Sequence, residues 1–263
     1  MKTNRKNQSL LMSTVIVLAR DYKKYFLSLF VVMTVLYLIG FIVVLCGITS
    51  GFGGIEGIYL IACLVAGLFS FREDFVFLAQ NQVPKSTMVR AFIIEGLCFG
   101  LFTSVAVSIF SHIMQLISSA LNGYISSVLD LIPTWEKQSG IVGFGRTLVI
   151  LLFLYVGVYF AGLTLSTINY RLNWLGRIIF WVPFGAISLN GMIGVLQYHL
   201  DSVGPEKLEV LSIALAKPFI NAFNWVIQSL GNFVIAGTAI IVISIVIGAV
   251  VFRGAEVKYS NIK

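Results

Sequence analysis

Charged side chains are scarce in this chain of 263 residues: Asp, Glu, Lys and Arg together make up 11%, whereas hydrophobic residues make up 58%. Soluble domains carry roughly 25% charged residues, so a water-facing shell around one core cannot be built from this composition. No polar segment exceeds about 30 residues, which is less than the roughly 50 residues of a small domain. These shortages exclude a soluble protein and a soluble domain on a single anchor.

Residue types that carry catalysis or bind metals are also few. The chain has two histidines and three cysteines, and the cysteines lack the C-x-x-C spacing of a zinc or redox site. Neither a G-x-x-x-x-G-K-[ST] phosphate-binding loop nor an H-E-x-x-H zinc motif occurs. We therefore predict that this chain has no catalytic residue, no metal site and no cofactor of its own.

Long apolar runs account for most of the sequence. They are long enough to cross a hydrocarbon layer of ~30 Å as helices of ~20 residues, and they lack the alternation of transmembrane strands. We predict an all-α, polytopic membrane protein, a single transmembrane domain over residues 1–263 with six spans. The predicted spans are Phe26–Thr49, Gly54–Ser70, Ala91–Ile113, Ile141–Thr167, Ile178–Leu196 and Trp225–Phe252.

The distribution of Lys and Arg predicts the orientation of these spans. With the amino terminus inside, only Lys137, Arg146, Lys207 and Lys217 lie outside, which leaves 14 of the 18 basic residues in cytoplasmic segments. Because cytoplasmic loops are enriched in Lys and Arg, we predict that both termini are cytoplasmic and that the protein lies in the inner (cytoplasmic) membrane. Anionic inner-leaflet lipid then explains the net charge of +7, and no nucleic-acid partner is needed.

Three segments outside the spans have amphipathic patterns. Residues 1–25 carry leucine and valine at helical spacing, which predicts a helix in the inner interface. A cleaved signal peptide is the competing interpretation, but polar residues interrupt its apolar run. The outer segments 114–140 and 197–224 contain apolar repeats that precede Pro133 and Pro218, and we predict short helices on the outer face there.

The segment 71–90 joins the second and third spans on the cytoplasmic side. Phe71, Phe75 and Leu78 recur at i, i+4 and i+7, which predicts a short amphipathic helix that ends before Pro84. Two interpretations fit: a solvated loop whose aromatic rings rest on the membrane, or a docking helix whose exposed aromatic side chains enter a cytoplasmic partner. The candidate docking residues are Phe71, Arg72, Glu73, Asp74, Phe75, Leu78, Gln80 and Asn81.

Few polar groups fall inside the spans. Glu95 lies about one turn into the third span; it is either a functional intramembrane acid or a residue near the headgroups that pairs with Arg90 or another inner-face base. Asn190 is more central in the fifth span and is a candidate for lining a path. Gly96 and Gly100 form a G-x-x-x-G motif, which predicts close approach of another helix.

The arrangement resembles the membrane subunits of type-2 ABC exporters in length, in six spans, in cytoplasmic termini and in the helical segments before the first span and between the second and third. The stretch Phe75-Val-Phe-Leu-Ala-Gln-Asn-Gln-Val-Pro-Lys-Ser-Thr87 is similar to the F-x-x-x-x-Q-N-G-V-S-R-K-T stretch of small bacterial permeases. It departs from that stretch at Gln82, at Pro84 and at Lys85-Ser86.

The resemblance implies that a second copy or a sister permease pairs with this chain, and that separate cytoplasmic ABC ATPase subunits, which hold ATP and Mg²⁺, drive export. Their closure would move the coupling segment and shift the spans from inward-facing to outward-facing. Because that family moves amphipathic molecules, the resemblance implies that the cargo is an amphipathic peptide, lipid or drug-like molecule. Two other classes stay open: a secondary transporter with Glu95 as its coupling group, and a non-transporting assembly or immunity factor.

Overall fold

The computed structural model describes residues 10–20, isolated helical positions between 28 and 42, and residues 55–120, 140–183, 185 and 209–254. Within these residues the chain is helical and contains no β-strand, which confirms the predicted all-α class. The helices are α1 Leu10–Arg20, α2 Ile55–Gln80, α3 Lys85–Ala120, α4 Gly140–Arg171, α5 174–183, α6 Glu209–Gln228 and α7 Leu230–Arg253.

Three of the described helices contain stretches long and apolar enough to cross a membrane: Lys85–Ile113 in α3, Val142–Arg171 in α4 and Leu230–Arg253 in α7. Their lengths of 29, 30 and 24 residues exceed the ~20 that a helix needs to span the hydrocarbon layer. The chain is therefore a helical protein with several helices suited to a membrane.

The chain divides into two compact units. The first unit contains residues 1–170 and 237–263, and the second contains residues 171–236. The first unit includes α1 to α4 and most of α7; the second includes α5, α6 and the beginning of α7.

In the first unit, α2 runs without a break through the predicted second span and into the segment 71–90. This corrects the prediction of a separate short helix after the span. No Pro or Gly lies between Ser70 and Gln80, so nothing in the backbone ends the helix there. The helix that we predicted at Phe71–Gln80 is thus the last three turns of α2.

A tight turn ends α2 at the predicted place. The amide of Val83 donates to the carbonyl of Leu78 at 3.1 Å, and the amide of Gln82 donates to that of Ala79 at 3.0 Å. This pair of bonds is the Schellman motif of helix ends, and Gln82 takes its left-handed position with φ of 55°. Pro84 follows and accepts the first hydrogen bonds of α3.

Helix α3 is longer than the predicted span Ala91–Ile113. It begins at Lys85 and continues to Ala120, so it enters the predicted outer segment 114–140. Residues 121–139 of that segment lie outside the described residues. The sequence Met114 to Ala120 contains no proline or glycine, which explains why the helix continues.

One aromatic cluster has buried members on four elements of the first unit, and Tyr170 of α4 packs against it. Phe71 and Phe75 stack with ring centroids 5.4 Å apart, and the ring of Phe252 on α7 meets both edge-on at 5.6 and 5.2 Å. Helix α1 contributes Leu18, with Leu11 and Val15 packed alongside. The buried members of the aromatic cluster are Leu18, Phe71, Phe75, Leu78, Met88, Ala91, Phe92 and Phe252.

In the second unit, two helix boundaries differ from the predicted ones. Helix α6 continues through Pro218 to Gln228, whereas we predicted an outer segment that ends at residue 224 and a sixth span that begins at Trp225. The span helix α7 begins at Leu230, because Ser229 caps it: its hydroxyl accepts from the Asn232 amide at 3.1 Å. Of the predicted fifth span Ile178–Leu196, residues beyond 185 lie outside the described residues.

Candidate functional site

Helices α2 and α4 touch through their backbones at two glycines. A Cβ atom added to Gly162 would lie 2.6 Å from the carbonyl oxygen of Leu64, and one added to Gly67 would collide with the carbonyl oxygen of Tyr159. Small residues permit such approach, and they are typical of helix contacts in membranes. The side chains that flank these glycines are therefore held at close range.

Helix α3 meets α4 through the predicted G-x-x-x-G motif. A Cβ atom at Gly96 would lie 2.7 Å from the ring of Tyr159 and 2.8 Å from that of Phe160. A Cβ atom at Gly100 would collide with the side chain of Val156. The two glycines thus make room for the large side chains of α4.

Glu95 lies inside the first unit, with 5% of its surface exposed. The hydroxyl of Tyr159 donates to Oε1 of Glu95 at 3.0 Å, and the same hydroxyl lies 3.4 Å from Oγ of Ser70. Arg90 is exposed. The Glu95 carboxylate is therefore enclosed by α2, α3 and α4.

A second buried acid, Glu56, was missed by the sequence analysis. It is 6% exposed in the first turn of α2, and its Oε1 accepts from the Ser111 hydroxyl of α3 at 2.9 Å. Its backbone carbonyl accepts from the hydroxyl of Tyr155 at 3.2 Å. The signal was present: Glu56 begins a small and polar stripe on α2 at spacings of three and four residues. That stripe consists of Glu56, Tyr59, Cys63, Gly67 and Ser70.

Buried hydroxyl groups on α3 lie between the levels of the two acids. Thr103 and Ser104 each donate to a carbonyl of their own helix, at 2.8 Å. Ser108 is also buried, and its Oγ has no hydrogen-bond partner among the described residues. Hydroxyl groups can both donate and accept. The row of Thr103, Ser104 and Ser108 can therefore bind a polar group once the Thr103 or Ser104 side chain rotates away from its carbonyl.

The predicted docking residues divide between a buried and an exposed side of α2. Phe71, Phe75 and Leu78 are buried in the aromatic cluster, and Phe75 has only 1% of its surface exposed. This corrects the expectation that their side chains are presented to a partner. The i, i+4, i+7 spacing identified the apolar face. Burial of the charged side chains of Arg72 and Glu73 would cost free energy, so they stay exposed and the apolar face turns inward.

The opposite side of the same turns forms an exposed surface, which we call the α2 end face. Phe77, which the sequence analysis missed, is its aromatic member, with 48% of its surface exposed. Asp74 lies at its edge, half-buried. The residues of the α2 end face are Arg72, Glu73, Phe77, Gln80 and Asn81.

Asn190 lies outside the described residues. In the part of the chain that the structure describes, no three His, Cys, Asp or Glu side chains come together as a metal site requires. Comparison of the chain with protein families, curated proteins and solved structures yields no match. Its function must therefore be argued from its own residues.

Proposed function

We propose that this chain is the membrane-spanning subunit of an ATP-driven exporter and that a separate cytoplasmic ATPase docks on the α2 end face. In this proposal the chain crosses the cell membrane six times, with both termini in the cytoplasm. The count of Lys and Arg supports that orientation, and the likeness of residues 75–87 to small bacterial permeases supports the class. The cargo is amphipathic, because the spans offer large apolar surfaces and few charges.

One observation carries the proposal: the last turns of α2 have two faces with different connections. One face is exposed, and the other is locked into the aromatic cluster with α1, α3 and α7. Protein interiors are close-packed and transmit displacement, so a partner that pushes the exposed face moves the attached helices. A segment that couples a cytoplasmic motor to membrane helices needs this combination.

The chemistry of the α2 end face suits a protein partner. Phe77 provides an aromatic anchor of the kind that dominates binding energy in interfaces. Arg72 and Glu73 are exposed beside it and carry opposite charges. Charge pairs at the rim of an interface set orientation and association rate, so these two residues would select the partner.

The test is co-purification of a P-loop ATPase with the full chain from native membranes in mild detergent. We expect Phe77→Ala and Glu73→Arg to remove the ATPase and to abolish transport, while the chain stays inserted and folded. Phe69→Ala is the matched control, because Phe69 is 72% exposed on the same helix but lies within the predicted span. If the ATPase is retained by both test variants, or is lost equally with the control, the docking role is wrong.

A second candidate function rests on Glu95. A buried carboxylate that accepts from Tyr159 is the type of group that couples proton binding to transport in secondary transporters. In that case Glu95→Gln would abolish proton-driven uptake or export in vesicles without any ATPase. Transport that requires ATP and tolerates Glu95→Gln would exclude this alternative.

A further inference from the structure

A groove runs between α3 and α7 in the first unit. Its walls are half-buried and aliphatic, with Val89 and Ile93 on α3 and Ile245 and Ala249 on α7, whereas Phe160 forms part of a fully buried floor. Half-buried walls over a buried floor make this a groove that is reached from the side of the helices, where lipid lies.

The groove presents carbon rather than polar atoms to an occupant. Three hydroxyl-bearing residues line it, Thr164, Thr167 and Ser244. Thr164 donates to the carbonyl of Ser244 at 2.8 Å, and Thr167 donates to that of Leu163 at 2.7 Å. The donor protons of the two threonines are therefore engaged, and apart from Ser244 and Gly248 the other lining residues are aliphatic or aromatic. An unbranched hydrocarbon chain fits such a lining.

One end of the groove is cationic. Lys85 precedes Val89 by one turn, and its ammonium donates to the carbonyl of Arg253 at 3.1 Å, which brings the start of α3 to the end of α7. The side chains of Arg253 and Arg90 are exposed at the same end. Positive charge at the end of an apolar groove complements a phosphate attached to an acyl chain, and basic pockets between membrane helices bind such headgroups.

We propose that this groove binds an anionic phospholipid of the inner leaflet, with one acyl chain between α3 and α7 and the phosphate at Arg253 and Arg90. The inference rests on the proposed orientation, which puts this end of the helices in the cytoplasm, but it does not require an ATPase. Lipid tails are as apolar as the groove, so the chain contributes packing and shape. Preference among lipids comes from the headgroup.

The position gives the lipid a role in the proposed coupling. Phe71 and Phe252 both line the groove and belong to the aromatic cluster. A bound acyl chain therefore contacts the two rings that join the end of α2 to α7. The lipid fills the space into which Phe252 would otherwise move and so stiffens that connection.

The test is native mass spectrometry of the full chain, titrated with phosphatidylglycerol or with phosphatidylcholine of the same acyl chains. We expect preferential binding of phosphatidylglycerol. A surface cation contributes about fivefold in affinity, so Arg253→Gln and Arg90→Gln should each weaken that binding about fivefold. Lys217→Gln, which removes an exposed cation of α6 in the predicted outer segment, is the control and should leave it unchanged.

A second measurement locates the acyl chain independently of any substitution. Phosphatidylglycerol with a photoreactive acyl chain should label peptides that contain residues 89–93 and 245–252 in the wild-type chain. Equal affinity for the two lipids, an equal effect of the Lys217 control, or labelling confined to other helices would each overturn the proposal. None of these outcomes depends on whether an ATPase binds the chain, so failure here is distinct from failure of the exporter proposal.

Discussion

Within the predicted second span, α2 meets its neighbours through glycines and hydroxyl groups, whereas past Ser70 the same helix meets them through aromatic rings. In the span, Gly67 lies against the backbone of α4, and the acid Glu56 is held by hydroxyl groups. In the end region, Phe71 and Phe75 interlock with Phe252. The change occurs within one unbroken helix.

If α2 leaves the hydrocarbon layer near Ser70, as the predicted second span has it, the difference follows from the surroundings of each region. Lipid tails are as apolar as leucine, so burial of large side chains gives helices in a membrane little reason to associate; close backbone contact and hydrogen bonds replace it. Beyond the hydrocarbon layer water returns, and burial of aromatic rings again stabilises the fold. The two regions should therefore respond differently to substitution.

The largest effect is expected for Phe75→Ala in the aromatic cluster. Removal of a fully buried ring costs about 3–5 kcal/mol, because a cavity remains among neighbours on three other helices. Phe77→Ala, two residues along the same helix, should change stability by less than about 0.5 kcal/mol because its side chain is largely outside the core. Thermal unfolding of both variants in detergent measures the difference; equal melting temperatures would contradict the assigned faces.

The next largest effect is expected for Gly67→Ala. The added methyl group meets a backbone oxygen of α4, which cannot rotate away, so we expect a loss of about 2–3 kcal/mol from overpacking. Gly145→Ala on α4 is the control, since a Cβ atom there meets no described atom within 4 Å. The same unfolding assay applies. A melting temperature for Gly67→Ala as high as that of the control would show that α2 and α4 are further apart.

A smaller effect should separate the two tyrosines of α4. Tyr159→Phe removes the hydroxyl that donates to a buried carboxylate, so we expect a cost of about 1–2 kcal/mol. Tyr155→Phe removes a hydroxyl that donates to a backbone carbonyl, and such bonds in membranes average about 0.6 kcal/mol. Denaturation of the two variants side by side in one detergent gives the comparison. The reverse order would contradict the importance of the Glu95 contact.

The smallest effect is a gain in stability. Gln82→Gly at the end of α2 should stabilise the chain by about 0.5–1 kcal/mol, because a non-glycine residue is strained at φ of 55° and glycine is not. The permease stretch that residues 75–87 resemble has glycine at the position of Gln82. Thermal unfolding of this variant next to Gln80→Gly, which should destabilise the last helical turn, tests the assigned turn.

Sequence patterns predicted local features of the fold better than they predicted its contacts. The Asn81–Pro84 region marked the end of α2, since its proline and polar residues act on the backbone next to them. The i, i+4, i+7 spacing identified the apolar face of Phe71 and Phe75. We expected that face to point outward, because a sequence pattern does not tell what a face packs against. The continuity of α2 was missed because a change from apolar to charged residues resembles a boundary.

The tyrosines and Glu56 show why the site was only partly predictable. Helix α4 is apolar on all sides, so Tyr155 and Tyr159 do not stand out by periodicity, and their partners lie 99 and 64 residues away in sequence. Glu56 lies at the edge of a predicted span, where an acid is easily taken for an interfacial residue. Only the pairing of helices brings these side chains together.

In the proposed function, the exposed side of the α2 end contacts the ATPase and the apolar side does not. A photo-crosslinking amino acid placed at position 77 in one variant and at position 75 in another tests this claim in native membranes. We expect position 77 to trap a P-loop ATPase, whereas position 75 should link only to residues of this chain. A trapped ATPase at position 75 alone, or at neither position, would contradict the account.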